Sequence, residues 1–373
     1  MKRFPILAIL VSAFAVASPV LGQDVKLQVQ GLEQRVDFWK KVFTQYGKDD
    51  LIIHDGFYVN LIYESATSYD VKVRVNSIRE ALREIREKLD APDTRSPFAQ
   101  KIAEAITAQG LPLSTASLNT LIDNLHTQQG VKERFRDGVV RSGRYVEEFR
   151  QIVKNAGVPE ELALLPLVES SFENVKSRAG AVGIWQFMRG TGRQYLRITN
   201  SVDERLDPTK AATAAARMLR DNYNALGEWP LAVTAYNHGR AGMMRAKGEF
   251  GSDLVTIIND YKGPVFGYAS MNFYSEFLAA VEVYKNYPQF YGDLVLDQPR
   301  QGKAAPVQLA SAKPAPKAAK AASPASVADK YKVKPGDSLW IVAQRFGTSI
   351  RSLMELNNLK ESAIYAGQIL LVK

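Results

Sequence analysis

Between residues 301 and 329 the chain has almost nothing with which to build a core. The stretch from Ala304 to Ala325 is mostly Ala, Pro, Lys and Ser, with no aromatic and no acidic residue. Such a segment cannot bury enough apolar surface to offset the entropy of ordering it, and its prolines favour an extended, semi-rigid spacer. Whatever folds must therefore close its core separately on either side, in a body of residues 23–300 or in a tail of residues 330–373. Charge follows the same division. Of the formal net charge of +9, residues 1–22 carry +2 and residues 301–373 carry +7, whereas 23–149 and 150–300 come to −1 and +1. A basic chain invites a nucleic-acid reading, but no long folded segment is itself basic, so a nucleic-acid partner is not expected.

The N-terminus has the pattern of a secretory signal over residues 1–22. Met1-Lys2-Arg3 precedes an apolar run from Phe4 to Val16, followed by Pro19 and Gly22. The run is short for a membrane span, which needs about 20 residues. Export with cleavage near Gly22-Gln23 is the expectation, and an uncleaved anchor the alternative. The chain has no cysteine. That removes disulfides, thiolate zinc sites, a thiol nucleophile and a lipid-attachment cysteine together, and leaves core burial to stabilise an exported body.

The body reads as mainly α. Ile78, Leu82, Ile85 and Leu89 recur at helical spacing, as do Ile102, Ala105 and Ile106, and Leu118, Leu121, Ile122 and Leu125. Further helices are expected over Ala211–Leu226 and Phe273–Tyr287. Only residues 51–75 look partly extended, with Val71, Val73 and Val75 alternating with basic residues. A division between an N-terminal helical region, 23–149, and a central domain, 150–300, is placed near residue 150.

The most informative segment runs from Val158 to Phe172. Pro159 suits the first turn of a helix, and Glu160 and Glu161 suit the positive end of its dipole. Leu162, Leu165 and Val168 form an apolar stripe that ends at Glu169. A carboxylate there is partly desolvated, which raises its pKa and keeps it protonated near neutrality, as a general acid requires. A surface glutamate at a helix end is the bland alternative.

Three further motifs follow in order: Gly180-Ala181-Val182-Gly183-Ile184-Trp185-Gln186-Phe187-Met188, then Val202-Asp203-Glu204-Arg205-Leu206-Asp207-Pro208, then Ala235-Tyr236-Asn237. With Glu169-Ser170 before them, this order resembles the lysozyme-like (SLT) catalytic domain of family 1 lytic transglycosylases, of the membrane-bound murein transglycosylase D type, over roughly residues 150–290. The resemblance implies cleavage of the β-1,4 bond between N-acetylmuramic acid and N-acetylglucosamine in peptidoglycan, with no cofactor and no metal. It implies one catalytic glutamate, carried over to Glu169, which protonates the departing oxygen and then acts as base toward the muramoyl 6-hydroxyl to close a 1,6-anhydro ring. The ordinary two-carboxylate glycosidase scheme is not needed, because the second nucleophile belongs to the substrate.

The same resemblance implies substrate contacts by Ser170, Gln186, Met188, Tyr236 and Asn237. For Ser170, orientation of Glu169 and a simple helix-end hydrogen bond stand beside substrate contact. A late active-site tyrosine is also implied, but its Glu-Thr context is absent from Gly267–Tyr274. Tyr274 is taken for the role, with Tyr268 as the alternative. Arg189 and His238 depart from the family pattern where it commonly has Pro and Ala. Should Glu173, Asp203, Glu204 or Asp207 position a water instead, the outcome is a hydrolytic muramidase; Asp203 to Asp207 are more simply read as fixing the loop and capping the helix after Pro208. His54, His126 and His238 show no metal spacing. A non-catalytic wall-binding scaffold is the third reading.

In the tail, Tyr331-Lys332-Val333 reads as a strand and Pro335-Gly336-Asp337 as a turn. Leu339, Val342, Ala343 and Phe346 mark a first helix. Ile350, Leu353 and Leu356 mark a second, stopped by Asn357-Asn358, and Ile369–Val372 closes as a strand. This βααβ order resembles a LysM domain over its full length, which implies binding to glycans containing N-acetylglucosamine. The partner expected is thus the peptidoglycan glycan strand, with association at the wall or the membrane periphery in the cell envelope. Oligomeric state is not legible, and residues 23–149 are expected to pack on the central domain, to extend its cleft or to contact a partner.

Overall fold

The computed structural model describes residues 27 and 29–299 apart from 264, and in the tail 330–334 with parts of 342–372. The expected leader and the spacer lie outside the described residues, as do Leu339 and Ala343 of the first tail helix. Contacts divide the chain into two units, one ending at Leu309 and the other beginning at Ala310. Among the described residues no helix is long and apolar enough to cross a membrane.

The larger unit opens with α1 (Glu33–Thr44), which buries Phe38, Trp39, Val42 and Phe43. Then come β1 (Leu51–Asp55) and β2 (Ile62–Ala66), three helices, α2 (Val71–Glu87), α3 (Pro97–Ala108) and α4 (Thr115–Asp123), and β3 (Leu125–Gln129). The strands form an antiparallel sheet in the order β2-β1-β3, with His54 opposite His126. The helices close over the sheet around Ile53, Leu61, Ile78, Leu82, Ile102, Ile106 and Leu118.

Two sequence expectations change here. Val71, Val73 and Val75 are not a strand but the first turns of α2. Val71, Val75, Ile78, Leu82 and Ile85 form one row at alternating four- and three-residue spacing, the period of a helix, and Val73 falls off that row and is left exposed. Leu125 does not end a helical stripe either: α4 stops at Asp123, and the next residues pair with β1, Leu125 lying opposite Asp55.

The chain continues through α5 (Lys132–Ser142), α6 (Val146–Asn155), a 3-10 turn (Glu160–Leu164), α7 (Pro166–Glu169), α8 (Arg189–Gly192), α9 (Pro208–Leu226), α10 (Trp229–His238), α11 (Arg240–Phe250), α12 (Leu254–Asp260), α13 (Tyr268–Lys285) and α14 (Tyr287–Tyr291). The unit is thus mainly helical, as expected. Sequence signals set the ends of its elements. The Asp207 carboxylate accepts from the Lys210 N–H at 3.0 Å, Pro208 takes the first helical position of α9, and Gly227 ends it at φ +79°. One hydrophobic core runs from Leu27 to Val283 and crosses residue 150 without a break. Within it α1 packs along α13, so the first helix of the body and its last long helix share an interface.

In the smaller unit β4 (Lys330–Lys332) pairs antiparallel with β5 (Ile369–Leu371), and α15 (Ile350–Leu356) lies between them in sequence. Val333, Val342, Leu353, Leu370 and Val372 make its core. Asn357, just past α15, fixes the closing strand. Its amide accepts from the Leu371 N–H at 2.7 Å and donates to the Leu371 carbonyl at 2.8 Å.

Candidate active site

The helix expected over Pro159–Val168 is broken in two, because Pro166 has no N–H with which to continue it. What results is a 3-10 turn and a single α-turn, α7, plugged into the core by Leu162, Leu164, Leu165 and Leu167. Glu169 closes α7. It is half-buried, and its apolar surroundings push the carboxyl from its ordinary 4.5 up to about 8. The backbone then turns sharply: Ser171 and Phe172 sit at φ +53° and +58°. Two successive side-chain-bearing residues in the left-handed region cost about 1 kcal/mol or more each, and persist only where their surroundings impose them.

The segment 180–188 lies beside this turn. The Ser170 hydroxyl, buried, donates to the Ile184 carbonyl at 2.7 Å. Gly183, at φ +88°, passes so close to Arg205 that a β-carbon would collide with the Arg205 carbonyl oxygen. The Gln186 side chain donates to the carbonyls of Gly183 at 2.7 Å and Val175 at 3.1 Å, which leaves its own carbonyl oxygen as an acceptor. Trp185 is buried against Phe149, with ring centroids 5.4 Å apart. Met188 stands half-buried before α8. From α10, the Tyr236 hydroxyl donates to the Trp185 carbonyl at 2.8 Å. Burial and the neighbouring Glu169 charge hold the Tyr236 phenol well above its ordinary range, so it stays a proton donor.

Asn237 is exposed at the end of α10, and its carbonyl oxygen accepts from the Ser270 hydroxyl at 3.0 Å. Its amide NH2 is left to face outward. His238, one of the departures from the family pattern, packs edge-on to Phe266 at 5.0 Å between ring centroids and forms part of the wall behind Asn237.

The acidic residues weighed as second carboxylates are all engaged. Arg205, buried, holds Asp203 at 2.9 and 2.7 Å and donates to the Phe187 carbonyl at 3.0 Å. The Arg205 guanidinium holds the Asp203 carboxyl below its ordinary range. Glu204 lies 3.0 Å from Lys210, Asp207 caps α9, and Glu173 lies 3.2 Å from Arg141.

The carboxylate that does approach Glu169 comes from α13, which packs against α7. Glu276 is half-buried, and burial together with the Glu169 charge pushes it up to about 8. Tyr268, Asn272 and Glu276 are spaced i, i+4, i+8 and so lie along one side of α13. Tyr274, two residues from both Asn272 and Glu276, is turned about 200° away from them at 3.6 residues per turn. Its ring is buried on the far side, and its hydroxyl donates to the Leu27 carbonyl. Tyr274, expected to contact substrate, thus lies on the side of α13 away from Glu276, and Tyr268 lies on the Glu276 side. Ser170 is likewise turned into the protein, its hydroxyl spent on Ile184. Glu276 was missed in the sequence. The signal was there, as a lone acid between Phe273-Tyr274 and Phe277-Leu278 in an apolar helix.

Residues 148–255 match the Transglycosylase SLT domain, and residues 331–373 match the LysM domain, so both resemblances read from the sequence are found. The chain is 41% identical over 118 residues to the membrane-bound lytic murein transglycosylase D of Escherichia coli (strain K12), covering 31% of this chain and 26% of that protein. It is 50% identical over 42 residues to a probable N-acetylmuramidase of Lactococcus lactis subsp. cremoris, covering 11% of this chain and 10% of that one. It is 46% identical over 46 residues to a probable endopeptidase p60 of Listeria grayi, covering 12% and 9%. The chain thus spans about a quarter or less of the length of these relatives.

Proposed function

We propose that this protein is a peptidoglycan lytic transglycosylase of the cell envelope. The observation that carries the reading is Glu169: a half-buried carboxyl pushed up to about 8, set within the segment that matches the transglycosylase domain. Protonated near neutrality, Glu169 gives its proton to the glycosidic oxygen between N-acetylmuramic acid and N-acetylglucosamine as the C1–O bond breaks. The carboxylate left behind takes the proton of the muramoyl 6-hydroxyl, whose oxygen closes on C1 to give the 1,6-anhydro end. The Glu169 proton is thus spent and recovered, and no water enters. Glu276 stays protonated beside Glu169, since burial and the Glu169 charge both raise its pKa.

Around the acid, the Gln186 carbonyl oxygen, the outward amide of Asn237 and the half-buried Met188 are assigned to the sugar cleft. Tyr236 keeps the Trp185 backbone in place beside Glu169. Ser170 is assigned to orientation of the Glu169 turn, and Tyr268 replaces Tyr274 as the tyrosine of the cleft. The leader over 1–22 is assigned to export, the body to cleavage, the spacer over 301–329 to reach, and residues 330–373 to the wall. Holding the enzyme on its polymer raises the effective substrate concentration without new catalytic contacts. The charge of +7 over residues 301–373 adds attraction to anionic wall polymer, which weakens with added salt.

Glu276 also gives substance to a second reading, a hydrolytic muramidase, in which it positions a water. The product decides. Mass spectrometry of muropeptides released from purified sacculi shows 1,6-anhydro ends if the first reading holds and reducing ends if the second does. No release at all defeats both.

A further inference from the structure

The turn that follows Glu169 is gripped from outside the segment 148–255. Helix α5 lies against it. At Gly138 a β-carbon would stand 2.9 Å from the Ser171 β-carbon and 3.1 Å from its Cα, so only glycine permits this approach. One turn on, the Arg141 Nε–H donates to the Ser171 carbonyl at 2.9 Å. The same guanidinium stands 3.2 Å from the Glu173 carboxylate. Arg134, two turns earlier on the same side of α5, donates weakly to the Ser170 carbonyl at 3.4 Å. The carbonyls of Ser170 and Ser171 and the Glu173 carboxylate thus converge on arginines of a single helix.

The residues so held are the strained ones. Ser171 and Phe172 keep positive φ, and a chain left to itself would swing these peptide planes back and carry Glu169 with them. The turn is also held by the Phe172 N–H, which donates to the Pro166 carbonyl at 3.1 Å, and by the Phe172 ring, which packs near Tyr145 and Phe149. Among the described residues, the hydrogen bonds that reach the turn from before residue 146 come from α5. Arg141 is three-quarters shielded from solvent, so its bond to Ser171 is not traded easily for water. An arginine suits the place because one guanidinium hydrogen-bonds Ser171 through Nε and pairs with Glu173 through its charge.

We infer that Arg141, given room by Gly138, is a positioning residue for Glu169: α5 imposes the strained Ser171–Phe172 turn and thereby sets the catalytic carboxyl in the cleft. This rests on the transglycosylase reading and gives the N-terminal region a part in the reaction. The segment 148–255 alone is then an incomplete catalyst.

Arg141→Met in the full chain keeps the stem and removes the donors. On solubilised, uncrosslinked glycan strands it lowers kcat about 10- to 100-fold, the cost of a small misplacement, while KM stays within about threefold. The upper limb of its pH profile also moves to lower pH, because a displaced Glu169 gains water. Arg141→Lys, which keeps the charge and N–H donors on a single nitrogen but not the fork, recovers part of kcat, and Glu173→Gln, which leaves the Ser171 bond intact, changes kcat by less than about threefold. Should Arg141→Met not fold, Arg141→Lys decides by the same pH limb. The inference is overturned if the folded variant keeps the wild-type kcat and limb, or if activity falls only in proportion to folded protein. An inactive wild type overturns the transglycosylase reading instead, so the two failures are distinct.

Discussion

Replacing Glu169 with Gln separates the charge of the side chain from its shape. In the folded protein the carboxyl is pushed from 4.5 to about 8, and at about 1.4 kcal/mol per unit the ionised form is disfavoured by at most about 5 kcal/mol. The cleft admits water, which reduces the penalty to about 1–3 kcal/mol. The sign follows from a folded pKa above the unfolded one. The stabilisation of the neutral carboxyl is complete below the unfolded value near 4.5 and is lost as pH rises through about 8. Wild-type stability therefore declines from about pH 5 to pH 9, whereas Glu169→Gln declines less and becomes the more stable protein on the alkaline side. Glu276 titrates in the same sense, so a residual slope remains in the variant. Urea unfolding of both proteins at several pH values measures the crossing. The same variant loses about 10²- to 10⁴-fold in the rate of sacculus digestion, the range for removal of a general acid. Equal pH slopes would show that Glu169 is not a desolvated acid, and digestion at the wild-type rate would show that it is not the catalytic one.

Other expectations are specific to single contacts. Glu169→Gln removes the like charge facing Glu276, so the Glu276 carboxyl titrates at lower pH in the variant, as an NMR titration of the side chain measures; an unmoved titration would mean that the two carboxyls do not communicate. Gly183→Ala forces a β-carbon into the Arg205 carbonyl at a backbone angle of φ +88°, and lowers stability in urea by more than about 3 kcal/mol. Truncation after Leu309 leaves turnover of soluble glycan strands unchanged but reduces co-sedimentation with sacculi about tenfold or more, since only the tether is lost.

How far the sequence reached can be traced through particular residues. Helical spacing at Ile78, Leu82 and Ile85 and the Asp207-Pro208 start of α9 are local signals, set by side-chain periodicity and by orphan backbone groups, and they can be read without a fold. Glu169 was legible for a similar reason: an acid at the end of an apolar stripe is desolvated wherever that stripe is buried. The spacer, the neutral body and the tail pattern followed from composition and order along the chain. The valines at 71, 73 and 75 misled, because an alternating string in isolation is ambiguous and only the continuation through Ile78 and Leu82 makes it helical. The side of α13 on which Tyr274 and Tyr268 fall is not legible in the motif, because their neighbours in sequence say nothing about what that helix packs against.

What the tertiary structure alone decided concerns residues far apart in sequence. Glu276 faces Glu169 across more than a hundred positions because α13 packs on α7, and no local pattern encodes that encounter. The paired states of Asp203, Glu204 and Glu173, and the grip of α5 on the Ser171–Phe172 turn, are of the same kind. Composition and periodicity determine which segments fold and which faces they bury. Which carboxyl stays charged, and which strained turn is held, depends on the solvent and partners each group finds after the helices have packed, and those are properties of the assembled core.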